Sequence, residues 1–215
     1  MTTEVRITAD DVALAGDLDA PAVARGIVIF AHGSGSSRFS TRNLDVASKV
    51  RASGHFGTLL FDLLTPEDDL VYANRFDIGL LAERLVAASR AVHSLPGLER
   101  TPLGYFGAST GAAAAIVAAA EMAGDVRAIV SRGGRPDLAG LALGQLRAPT
   151  LLIVGGLDIE VIALNEAALG EIAAADKRLA IVPGATHLFE EPGTLDQAAE
   201  LAVKWFERYL GEAPA

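Results

Sequence analysis

The chain has 215 residues, 51% of them hydrophobic and 21% charged, a composition that fits one globular domain with a sizeable core. Its net charge of −9 argues against nucleic acid or an anionic membrane as a partner, since both attract basic surfaces. The absence of cysteine excludes a disulfide framework, a thiolate metal site and a cysteine nucleophile, and the start, Met1-Thr2-Thr3-Glu4-Val5-Arg6, lacks the apolar core of a secretion signal, so a cytoplasmic location is expected.

Val5-Arg6-Ile7 alternates and Val12 to Leu18 is weakly apolar, which predicts an edge hairpin. Gly26-Ile27-Val28-Ile29-Phe30-Ala31 is a continuous run of the kind buried on both faces of a parallel sheet, and it ends in the loop His32-Gly33-Ser34-Gly35-Ser36-Ser37. The spacing of Leu44, Ala47 and Val50, with Gly54 behind, predicts a helix. Thr58 to Phe61 is a second buried strand, and after a polar excursion Ile78, Leu81, Leu85 and Val92 mark one face of a helix.

Leu103 to Ala108 then breaks into Gly107-Ala108-Ser109-Thr110-Gly111 and an alanine-rich helix to about Ala123, whose apolar stretch falls well short of the roughly 20 residues of a membrane span. Val126 to Ser131 is a strand running into Arg132-Gly133-Gly134-Arg135-Pro136, and only about a dozen residues precede the next strand, Thr150 to Val154, too few for a cap domain. Gly155-Gly156-Leu157-Asp158, a helix over Val161 to Ala174, the strand Leu179 to Val182 and the loop Pro183 to His187 follow. A capping box, Thr194 to Gln197, opens a last helix with Ala198, Ala202, Trp205 and Tyr209 on its core face, and residues 212–215 are expected to fray. The alternation predicts one α/β domain over residues 1–215, a mostly parallel sheet with helices on both faces.

In such sheets ligands bind beyond the carboxyl ends of the strands, where these loops converge. Ser109, Asp158 and His187 each follow a strand in the order nucleophile, acid, histidine. A serine hydroxyl needs a base to remove its proton, the role of His187, and a carboxylate to hold the imidazole, the role of Asp158. Glu160 is the alternative acid, and a helix cap is the alternative role for Asp158. The backbone N–H groups of Ser34 and Thr110 are the candidate oxyanion donors. His32 is read as ordering its loop, and His55 and His93 as solvated on the opposite rim. Arg132 and Arg135 are candidate substrate-binding residues that would hold an anionic group, with a surface salt bridge as the competing role; Arg38 and Asp62 share that ambiguity. No metal-ligand spacing occurs, and the glycines after the first central strand lack the third glycine of a dinucleotide fingerprint.

The segments Phe30 to Ser37, Gly104 to Gly111 and Gly184 to Phe189 resemble the α/β-hydrolase family, in particular its small lid-less branch similar to dienelactone hydrolases. The resemblance runs from Gly26 to Leu210. It implies Ser109, Asp158 and His187 as the triad, Ser34 and Thr110 as oxyanion donors, acyl-enzyme hydrolysis of a small ester, lactone or thioester, and no cofactor. Dienelactone hydrolases carry cysteine where this chain has Ser109, so the dienelactone itself does not follow. Acyl transfer with the same triad, or a non-catalytic binding role on this fold, remain the alternatives.

Overall fold

The computed structural model describes residues 2–211; the expectation for 212–215 lies outside them. Eight strands form one sheet: β1 (Thr3–Ala9), β2 (Val12–Asp19), β3 (Gly26–Ala31), β4 (Phe56–Phe61), β5 (Leu103–Ala108), β6 (Val126–Arg132), β7 (Thr150–Gly155) and β8 (Lys177–Val182), ordered β1-β2-β4-β3-β5-β6-β7-β8. β1 and β2 form the predicted edge hairpin, antiparallel to each other and, through β2, to β4, while β3 to β8 run parallel. β3, β4, β5 and β7 are buried at every residue, which is why they read as unbroken apolar runs rather than alternating ones.

The helices are α1 (Thr41–Ala52), α2 (Pro66–Asp69), α3 (Ile78–His93), α4 (Thr110–Glu121), α5 (Ala142–Gln145), α6 (Ile159–Glu171) and α7 (Thr194–Leu210). Successive residues of β3 serve opposite faces. Ile27 and Ile29 join a core with Leu81 and Leu85 of α3 and Ala114 of α4, and Val28 and Phe30 join another with Val46 and Val50 of α1 and Ala202 and Phe206 of α7. Phe30 and its register partner Phe106 on β5 stack with ring centroids 5.0 Å apart, adding about 0.5–1.5 kcal/mol to their area burial. Between β6 and β7 lie only a 3-10 turn, Pro136–Ala139, and α5, so no cap domain is inserted at this point. Among the described residues no helix is long and apolar enough to cross a membrane.

Local expectations shift in three places. The capping box at Thr194 does not form: Gly193, in the left-handed region, precedes the helix, and the Thr194 hydroxyl donates to the Glu191 carbonyl at 2.7 Å. The tight turn over residues 191–194 places Thr194 inside the first turn instead of at its cap. The excursion after β4 is structured, with α2 capped reciprocally by Thr65 and Asp68 and a 3-10 turn at Tyr72–Phe76. On α1 the buried residue of the first turn is Asn43, and Leu44 faces outward.

Candidate active site

Parallel strands deliver their following loops to one rim, and the link from β5 to α4 is the sharpest of them. Ser109 has φ 51° and ψ −122°, a conformation costing about 1–3 kcal/mol in a residue with a Cβ. Its neighbours enforce it: the Ser109 N–H donates to the Arg132 carbonyl (3.4 Å) and the Ser109 carbonyl accepts from the Arg135 N–H (3.1 Å). The helix behind it lies close to β3, so that a Cβ on Gly111 would sit 2.2 Å from the Ala31 carbonyl oxygen. Gly107 is similarly jammed, 2.4 Å from the Ala112 Cα. The result is an elbow that lifts the serine side chain off the sheet.

Asp158 ends the loop after β7 and His187 the loop after β8. His187 Nδ1 and Asp158 Oδ2 are 2.6 Å apart, with the Asp158 side chain 15% exposed and the imidazole 38%. Although Asp158 occupies the cap position of α6, its side chain makes no capping bond. Glu160 is exposed on the first turn of α6. Backbone bonds hold the two loops together, from Leu157 N–H to the Ala185 carbonyl at 2.9 Å and from Gly156 N–H to the Val182 carbonyl at 2.8 Å. The left-handed Gly133 packs under the imidazole: a Cβ there would meet the His187 carbonyl at 3.0 Å and its ring atoms at 3.6 Å.

Ser109 and His187 open into one cavity of about 260 Å³, shared with Ser34, Arg42, Asn43 and Arg132. The Ser109 hydroxyl makes no hydrogen bond to a described residue, so Ser109 and His187 share the cavity without a bond between them. Of the two oxyanion candidates, the Ser34 N–H donates to the Thr110 hydroxyl at 3.0 Å. His32 does order its loop. Its ring is buried, with Nδ1–H donating to the Gly33 carbonyl and Nε2 accepting from the Leu63 N–H, both at 3.0 Å. Burial lowers its pKa, against opposing effects of the Gly33 carbonyl, Asp62 and Asp69, so it stays neutral. His55 is exposed, whereas His93, expected to be solvated, bonds the Thr101 carbonyl through Nε2 at 3.0 Å.

The two arginines of the loop after β6 part company. Arg135 makes a bidentate pair with Asp137 (2.9 and 2.7 Å), is partly exposed and does not line the cavity, an arrangement that matches the salt bridge named as its competing role. Arg132 is only 6% exposed, lines the cavity and has no partner for its Nε; its guanidinium lies 5.6 Å from the Phe189 ring centroid. Burial, with the nearby Arg42 charge, pushes its pKa down to about 10, which leaves it protonated at neutral pH. Arg38 pairs with Asp62 and Asp17 and braces the rim. Arg42 and Asn43 went unread in the sequence; the available signal was that the first turn of α1 follows directly on the His-Gly-Ser loop. Among the described residues no group of three His, Asp or Glu side chains is placed to hold a metal ion.

No protein-family model matches the chain. The crystal structure of a dienelactone hydrolase from Anabaena variabilis is similar at a TM-score of 0.92 and 52% identity, over 97% of this chain and 98% of that one. An α/β serine hydrolase without a lid from Xanthomonas campestris shares the fold at a TM-score of 0.76 and 19% identity, over 99% of this chain and 97% of that one. Proteins of two Mycobacterium tuberculosis strains, provisionally named phosphoribosyl transferases, are 56% identical over 213 residues, 99% of this chain. The chain spans 48% of their length, about half of the curated relatives it matches. With its strand order, its elbow and a likeness to the Anabaena enzyme that runs nearly end to end at half identity, the chain belongs to the α/β-hydrolase family, in its dienelactone hydrolase-like branch.

Proposed function

We propose that this chain is a serine hydrolase that cleaves small carboxylic esters, lactones or thioesters through an acyl-enzyme on Ser109. The observation that carries the reading is the 2.6 Å contact between His187 and Asp158, opening into the same cavity as a serine held on a strained elbow. With Nδ1–H donated to Asp158, the lone pair of His187 lies on Nε2 and is available as a base. As substrate enters, Ser109 Oγ turns to Nε2, gives up its proton and bonds the carbonyl carbon. The carbonyl π electrons move to oxygen, which the N–H groups of Thr110 and Ser34 receive. Collapse expels the alkoxide or thiolate, which takes the proton from His187 as it leaves, and water repeats the sequence to release the acid.

The cavity lies near the low end of the range for small-molecule sites, and the short connection between β6 and β7 leaves it unlidded, which favours short acyl groups. The phosphoribosyl transferase name of the M. tuberculosis relatives belongs to proteins about twice this length, of which this chain matches about half. Labelling with a fluorophosphonate tests it: covalent addition to Ser109, lost in Ser109→Ala, is expected together with turnover of short-chain esters. A folded protein that is neither labelled nor able to turn over any short ester sinks the proposal.

A further inference from the structure

The cavity at Ser109 has more positive charge than ester hydrolysis requires. Six side-chain polar atoms among the described residues are buried without a partner, and three of them, Arg132 Nε, Arg42 Nε and Asn43 Oδ1, belong to residues lining this one cavity. Arg132 is the register partner of Ala108, one residue from the nucleophile, and its charge is met by no carboxylate. Arg42 gives Nη1 to Glu190 at 3.1 Å, but Glu190 is 63% exposed and the pair is worth little in water. No aspartate or glutamate among the described residues lines the cavity, although the chain as a whole carries a charge of −9.

The remaining wall adds donors. Ser40, the N-cap of the twelve-residue α1, accepts from the Asn43 N–H and keeps its own O–H, and the helix N-terminus contributes the positive end of its dipole. The Ser34 and Ser36 hydroxyls complete the wall with no bond to a described residue. Two guanidiniums converging on one small space repel each other, and a monoanion would leave one of them unmatched. A phosphomonoester carries about −1.5 to −2 at neutral pH, matching the two guanidinium charges, and its three oxygens can each accept from several donors.

We propose that Arg132 and Arg42, with the Ser34, Ser36 and Ser40 hydroxyls, form a phosphate subsite beside Ser109, and that the ester cleaved there carries a phosphomonoester. This substrate class rests on the hydrolase reading of the same cavity, whereas the anion site itself does not. Isothermal titration of the whole chain with inorganic phosphate at pH 7.5 tests the site. One saturable site is expected, weakened about tenfold in Arg42→Gln and about ten- to a hundredfold in Arg132→Met, as loss of a charge-assisted fork implies.

Should Arg132→Met fail to fold, the half-buried Arg42→Gln decides alone. No saturable phosphate binding, the same affinity in the variants, or tighter binding of benzoate than of phosphate overturns the proposal. Phosphate binding by Ser109→Ala in a protein that fluorophosphonate never labels would remove the hydrolase reading and leave the subsite standing; labelling without phosphate binding would do the reverse. For the substrate class, the kcat/KM of acetyl glycerol 3-phosphate relative to glyceryl monoacetate is expected to exceed tenfold and to fall toward one in Arg42→Gln. A ratio near one in the unaltered chain overturns it.

Discussion

The Ser34 N–H donates to the Thr110 hydroxyl at 3.0 Å, so one proposed oxyanion donor is held by the side chain of the residue that supplies the other. A developing oxyanion is a stronger acceptor than a hydroxyl, but it must displace this bond, worth about 1 kcal/mol net. Thr110→Val keeps the shape and removes the competitor. We expect kcat for a short ester to rise up to about fivefold, with a stability loss of about 1 kcal/mol from the unpaired N–H. A tenfold fall in kcat would show instead that the hydroxyl positions the loop.

Ser109, His187 and Asp158 are expected to act as one unit. Ser109→Ala and His187→Ala should each lower kcat by several orders of magnitude, and the double variant should be little worse than either. Asp158→Asn, which turns the 2.6 Å contact from acceptor to donor on one side, should cost about 10⁴-fold with the fold intact. Losses that add in the double variant would assign separate roles.

Gly133→Ala places a methyl 3.0 Å from the His187 carbonyl at a φ of 52°. Strain of about 1–2 kcal/mol is expected to appear as a lower melting temperature. Because the contact is with the proposed base, kcat should fall at least tenfold while the KM of a short ester changes little. Equal damage to kcat and KM would make the effect a general loosening.

Arg132→Met should make the protein more stable. A guanidinium 6% exposed, with its Nε unpaired and no carboxylate of a described residue beside it, has lost hydration that the Phe189 ring replaces only in part, and methionine fills similar volume without that cost. A gain of about 1–3 kcal/mol, or several degrees in Tm, is expected in phosphate-free buffer. A lower Tm would mean the charge has a structural partner.

His32 sets a term in acid stability. Its folded pKa lies below the ordinary 6.5, so as pH falls through about 6.5 the unfolded chain takes up a proton that the folded ring refuses. Stability from this group is therefore complete above that value and lost below it, with a slope of up to about 1.4 kcal/mol per pH unit. Denaturant unfolding at pH 5, 6 and 7 should show that slope reduced by one proton in His32→Gln. An unchanged slope would place the titration elsewhere.

Much of the architecture was legible because β3, β5 and β7 are buried on both faces, and two-sided burial leaves an uninterrupted apolar run in the sequence. Ser109, Asp158 and His187 could be placed on one rim because each lies on the link that follows a parallel strand, at the strand's end or a few residues beyond it. Arg132 and Arg135 were not separable by pattern, being alike in type and spacing from the strand. Asp137, two residues after Arg135, was the clue, since it satisfies that fork locally. Arg42 and Asn43 were hidden for a different reason: which way a helix's first turn faces depends on its docking, and the rotation of α1 that exposes Leu44 is what turns Asn43 inward. The supposed box at Thr194 failed on a backbone conformation, that of Gly193, which the identity of the threonine does not determine.

The crowding around the elbow has an evolutionary side. At Gly111 an added methyl would collide with the Ala31 carbonyl oxygen 2.2 Å away, and at Gly107 with the Ala112 Cα at 2.4 Å, so neither can change without the helix leaving the sheet. Ser109 between them faces open space, and its Oγ bears no hydrogen bond on which the fold depends. Drift is therefore blocked at the two glycines and permitted at the hydroxyl between them. A lineage on this scaffold can exchange oxygen for sulfur at position 109 in one codon step and keep every backbone contact.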